Sequence, residues 1–114
     1  MQNAAGEFIL PSSLSISAAA QEGIADDTRS MITNSSAKGS YPISCLTWII
    51  VYKDQAYANR SEDQARATLS LLNFILSPAA QAQTTMVHYA PLPKEVIDKA
   101  QKALSEITYN GKSL

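Results

Sequence analysis

The side chains that carry most enzyme and metal chemistry are scarce in this chain, which has a single histidine, His88, and a single cysteine, Cys45. A zinc site needs several thiolate, imidazole or carboxylate ligands that converge, and a nucleophilic thiol needs a base beside it. Neither residue stands in such a pattern. His88, next to Tyr89, reads as a loop histidine with one ring nitrogen bonded to backbone, and Cys45, at the head of an apolar run, as a small buried hydrophobe. The carboxylate pairs Asp26-Asp27 and Glu62-Asp63 are sequence neighbours, so they do not converge on one substrate atom and read as solvated. The four glycines, Gly6, Gly23, Gly39 and Gly111, stand singly and mark turns, which leaves no glycine-rich loop to cradle a phosphate. The triplets Asn34-Ser35-Ser36 and Asn59-Arg60-Ser61 match the glycosylation pattern, but chance supplies such triplets freely and no reading rests on them. No enzyme, metal or cofactor is expected.

One local feature has mechanical content. The polar stretch Asn34 to Ser40 has turn chemistry and is followed by Tyr41-Pro42-Ile43. An aromatic-Pro step after such a turn fixes the direction of a crossing chain, so Tyr41-Pro42 can form a hinge; an ordinary strand lead-in fits the same residues.

The elements that must carry this turn follow from the hydrophobic period. Gly6 to Leu10 reads as a short strand or extended lead-in ended by Pro11, and Ser12 or Ser13 caps a helix over about 13–22 that runs to Gly23. Met31-Ile32-Thr33 is a weak strand signal. Leu46 to Tyr52, rich in aromatic and β-branched residues, predicts the strongest strand, buried on both faces. Ser61-Glu62-Asp63-Gln64 matches a capping box, and Ala65, Leu69, Leu72 and Leu76 continue at helical spacing, with a second half apolar nearly all round. Ser77-Pro78 ends that helix and starts another through Thr85. A last amphipathic helix carries Val96, Ile97, Ala100, Ala103, Leu104 and Ile107 on one face before Asn110-Gly111 stops it. The two helical stripes read as core. A single convincing strand cannot satisfy its own edges, so its sheet must be completed by a missing part of the same protein or by a second copy.

The bulk numbers bound the rest. A chain of 114 residues with 46% hydrophobic and 17% charged residues suits one globular domain. Nine basic against ten acidic side chains leave no excess to release counterions, so nucleic-acid binding is not expected. The apolar runs fall far short of the roughly 20 residues that span a bilayer, and no signal sequence is visible. A lone cysteine fits a reducing compartment or an exported bacterial protein without bridges.

Four passages, taken in order, resemble one family. Asn3-Ala4-Ala5-Gly6-Glu7-Phe8-Ile9-Leu10-Pro11 with the Ser15 to Ala20 helix, Tyr41-Pro42-Ile43-Ser44, Trp48 to Gln55, and Tyr89-Ala90-Pro91-Leu92-Pro93 are similar to the C-terminal region of the phosphate-binding proteins that feed phosphate ABC importers, the PstS-like, type II periplasmic-binding family. The resemblance implies an α/β fold in which this chain is the C-terminal segment of a two-lobed protein, a few strands with several covering helices and an incomplete sheet. It implies that residues 1–40 end the second lobe (strand, helix, strand), that Ser40 to Ile43 lie near the return crossing, and that residues 41–114 complete the first lobe. The implied function is hinge and scaffold in phosphate capture, with inorganic phosphate, the importer's transmembrane permease and the N-terminal part of the same protein as partners, outside the cell membrane or in the periplasm. The family's phosphate contacts lie upstream of everything present, so no ligand residue is carried onto this sequence. Oligomerisation is expected of the isolated chain. The competing reading from another class is a small stand-alone protein-interaction module with no ligand site.

Overall fold

The computed structural model describes residues 1–114, with Glu22 described by its backbone alone. Four helices and one small hairpin are joined by long irregular stretches: α1 Ser13–Ala19, α2 Glu62–Ile75, α3 Pro78–Gln81, α4 Lys94–Ser105, β1 Thr108–Tyr109 and β2 Lys112–Ser113, with 3-10 turns at Ala20–Glu22 and Thr84–Val87. This mixed composition is compatible with a fragment of an α/β fold.

The helix starts obey the capping rules read from the sequence. At α1 and α2 the side chain of Ser12 or Ser61 accepts from the N3 backbone, while the N3 residue, Ser15 or Gln64, reaches back to the cap. Ser77 caps α3 with Pro78 at the first helical position, but the helix lasts only to Gln81 and gives way to a 3-10 turn, shorter than the expected run to Thr85.

The core is small and lies where α1, the 24–32 loop and the start of α4 meet. Ala19, Ala20, Ile24, Ile32 and Val96 are buried there, with Leu46 and Leu92 packed against them. Ser17 of α1 donates to the Pro91 carbonyl in the loop before α4 at 2.7 Å, and the Lys99 ammonium of α4 reaches the Ile24 carbonyl.

Three expectations are corrected. Leu46 to Tyr52 form no strand: no backbone-to-backbone hydrogen bond joins Cys45 to Val51 to the rest of the chain, and Ile50 is 93% exposed. A β-branched run prefers extended backbone, but a strand is defined by its partners, and none lies beside this one. Met31 to Thr33 are likewise irregular, with Ile32 in the core and Met31 outside. The second half of α2 does not lie deep: Leu72 is buried, while Leu71, Phe74 and Ile75 are exposed.

At the C-terminal end, α4 stops at Ser105, and Asn110-Gly111 is the turn of a hairpin and not a helix stop. Thr108 pairs with Ser113 and Tyr109 with Lys112, which leaves a two-residue loop whose φ angles are +50° and +75°. Positive φ at both central positions is what a type I′ hairpin turn requires, and Asn-Gly is the dipeptide that adopts it most readily.

The whole is open. The radius of gyration is 16.4 Å, against about 13 Å for a compact domain of this length. The accessible surface is 7606 Å², against roughly 6100 Å² for a folded monomer of this mass. Among the described residues no helix is long and apolar enough to cross a membrane.

Candidate functional site

Ser40 to Ile43 lie at the meeting point of three segments. Residues 1–9 fold back as a short hairpin in which Gln2 bridges Phe8, the Asn3 N–H donates to the Glu7 carbonyl at 2.9 Å and the Ile9 N–H to the Met1 carbonyl at 2.9 Å. From this hairpin the Asn3 amide donates to the Ser40 carbonyl at 3.1 Å and to Glu7 Oε2 at 3.2 Å. Glu7 Oε2 also accepts from the Gly39 N–H at 2.7 Å. These donors hold the Glu7 carboxyl below the usual carboxylate range, the Gly39 amide contributing most and the Asn3 amide next.

The turn is fixed from the other sides as well. Ser40 is fully buried; its hydroxyl donates to the Ser35 carbonyl at 3.0 Å and its N–H to the Ala37 carbonyl at 3.1 Å. The Tyr41 N–H donates to the carbonyl of Ser15 in α1 at 2.9 Å, and the Pro42 carbonyl accepts from the Asn34 N–H at 2.8 Å. Ser44 closes the segment by donating to the Tyr41 carbonyl at 2.7 Å. Ile43 is the exception: it is exposed. Gly39, with φ of +73°, supplies the left-handed conformation that lets the chain turn here. Asn3 and Glu7 were not singled out by their types, because an amide and a carboxylate in a polar loop give no sign of the distant backbone they will hold.

A second junction gathers around Lys53-Asp54-Gln55. Asp54 Oδ1 accepts from the Ala56 N–H at 2.9 Å and the Asn110 N–H at 3.2 Å, and Oδ2 from the Gly111 N–H at 2.8 Å and the Thr108 hydroxyl at 3.3 Å. The Asp54 carboxyl is held below its ordinary range, the Ala56 and Gly111 amides being the largest causes. The Thr108 N–H donates to the Lys53 carbonyl and the Gln55 N–H to the Thr108 carbonyl, both at 2.8 Å, forming a parallel bridge. Lys53 pairs with Glu106 at 2.8 Å. These three residues therefore seat the C-terminal hairpin, an arrangement of scaffold.

An apolar groove of about 1180 Å³ is lined by the 26–31 loop, the unpaired 46–51 segment, Leu72, Ile75 and Leu76 of α2, and Val96, Ala100 and Leu104 of α4. It is open to solvent, and part of its wall comes from the two helical stripes that the hydrophobic period assigned to a core.

The lone thiol and imidazole take no part in either junction. Cys45 is exposed, contrary to the burial expected, because the strand that would have enclosed it does not form. His88 is exposed and ends the 84–87 turn with φ of +61°, an angle its residue type adopts more readily than most. Asp27 pairs with Arg29 and Glu62 with Arg66, both at the surface as expected of solvated carboxylates.

Comparison with known proteins bears on the motif-rich course of the chain. Over 104 residues it is 31% identical to the phosphate-binding protein PstS of Xylella fastidiosa strain Temecula1, covering 89% of this chain and 27% of that protein. Over this stretch the chain is similar to PstS. The phosphate-binding protein PstS of Pasteurella multocida strain Pm70 is 31% identical over 104 residues, covering 89% of this chain and 29% of that protein. The chain thus spans less than a third of the length of these curated relatives. No protein-family model matches it, and no solved structure matches it.

Proposed function

We propose that this chain is the returning C-terminal part of the phosphate-binding protein of a phosphate ABC importer, contributing hinge and scaffold to phosphate capture and delivery. The observation that carries the reading is the open groove together with the unpaired 46–51 segment, in a chain similar over 89% of its length to proteins more than three times longer. The surface in excess of a compact monomer is on the order of 1500 Å², comparable with the whole of a standard interface. The N-terminal part of the same protein would fill the groove and supply strands to both edges of Leu46 to Tyr52.

On this reading residues 1–40 finish the second lobe, Ser40, Tyr41, Pro42 and Ile43 form the return crossing, and residues 41–114 complete the first lobe of a two-lobed fold. The small core that joins the two parts in this chain, five buried apolar side chains, then gives way to contacts with the rest of the polypeptide. Phosphate is held by residues outside this stretch, the permease of the importer receives it, and the protein works in the periplasm or at the outer face of the membrane.

The test is an exchange of parts. Residues 1–114 replace the matching stretch of the Xylella fastidiosa relative, and phosphate binding of the chimera is measured by calorimetry. A folded chimera that binds phosphate as its parent does supports a scaffold role. A chimera that folds but has lost binding places ligand contacts within this stretch and contradicts it.

A further inference from the structure

The loop at Asn3 to Glu7 reaches across 32 residues of sequence to hold the backbone just before the crossing segment. We infer that Glu7 is a carboxylate clasp: held by Asn3, it fixes the Gly39-Ser40 backbone and so sets the direction in which the chain enters Tyr41-Pro42-Ile43. Two neighbouring peptide units are gripped at once, the Gly39 N–H by Glu7 Oε2 at 2.7 Å and the Ser40 carbonyl by the Asn3 amide at 3.1 Å. Asn3 and Ser40 are buried, so water competes poorly for the second grip. A third bond, Asn3 Nδ2 to Glu7 Oε2 at 3.2 Å, and the Glu7 N–H donating to Asn3 Oδ1 at 2.9 Å, orient the two side chains to each other.

The clasp is charge-assisted, which gives it a pH dependence of known sign. A carboxylate whose folded-state pKa is depressed stabilises above its unfolded value, and the contribution is lost as the pH falls through the folded value. The charges around Glu7 are few. Lys38, beside Gly39, favours its ionised form; the Met1 ammonium is engaged at the Ile9 carbonyl; and α1, packed against Tyr41, carries no charged residue. Acid therefore acts here through Glu7. What the clasp does for lobe movement rests on the function proposed above; the clasp itself rests only on this geometry.

The test reads backbone amide exchange at Gly39 in the 114-residue chain, corrected for the intrinsic effect of pH, with the Leu72 amide of α2 as the reference for the fold. Gly39 is expected to lose protection on the acid side of about pH 4.3 while Leu72 keeps its own. Glu7→Gln keeps an acceptor that does not titrate and removes this acid step. Glu7→Ala lowers Gly39 protection at pH 6 by roughly tenfold, the loss expected for one hydrogen bond to a charged group. An acid step that persists in Glu7→Gln, a Gly39 amide that titrates together with Leu72, or one that ignores Glu7→Ala overturns the clasp. Because the measurement needs neither phosphate nor a partner, its failure is distinct from failure of the functional reading.

Discussion

Asp54 shows how one carboxylate organises a chain end. Its two oxygens collect three backbone amides and a hydroxyl from both sides of a junction that spans more than 50 residues of sequence. Asp54→Ala leaves the Asn110 and Gly111 amides without their acceptor, so exchange at both is expected to accelerate on the order of tenfold while α2 is unchanged. Acid acts in the same direction. The Asp54 carboxyl is depressed, so its stabilising effect is complete above its unfolded pKa and is lost as the pH falls through the lower folded value. Hydrogen exchange at Gly111 across pH 3 to 6 checks the sign: protection that rose with acid would contradict it.

At the scale of elements, caps decide more than propensity. The α2 helix begins on the reciprocal Ser61 and Gln64 bonds, with Glu62 and Asp63 in the first turn where the helix dipole favours negative charge. Ser61→Ala is expected to cost about 1 kcal/mol, read as a shift in the urea midpoint with the slope unchanged. These starts were legible in the sequence because a cap is a local interaction among residues three apart. The signal at 108–113 points two ways: Asn110-Gly111 after an amphipathic helix suggests a helix stop, whereas the same dipeptide flanked by short extended runs forms the type I′ turn that the structure has. The strand over Leu46 to Tyr52 failed for a different reason. Its composition suits a sheet buried on both faces, but no strand pairs with it in the described residues, so Trp48 and Ile50 are left at the surface. The turn at Ser40 to Ile43 was visible from its residue types; the Asn3 and Glu7 side chains that hold it were not, since a contact across more than 30 residues leaves no local pattern.

For the whole molecule the exposed apolar surfaces belong together. Leu71, Phe74 and Ile75 are exposed, the 46–51 segment is unpaired and the groove is open; on the function proposed above these are the surfaces that the rest of the polypeptide covers. The two polar junctions, by contrast, close between residues of this chain, although Gln55 Oε1 in the second is buried without a hydrogen-bond partner. On the function proposed above, this chain carries structure-bearing contacts and the phosphate site lies outside it. Calorimetric titration of the 114-residue chain with inorganic phosphate tests that assignment most directly. No heat of binding at millimolar phosphate is the predicted result; a saturable, one-to-one binding isotherm in the micromolar range or below would contradict it.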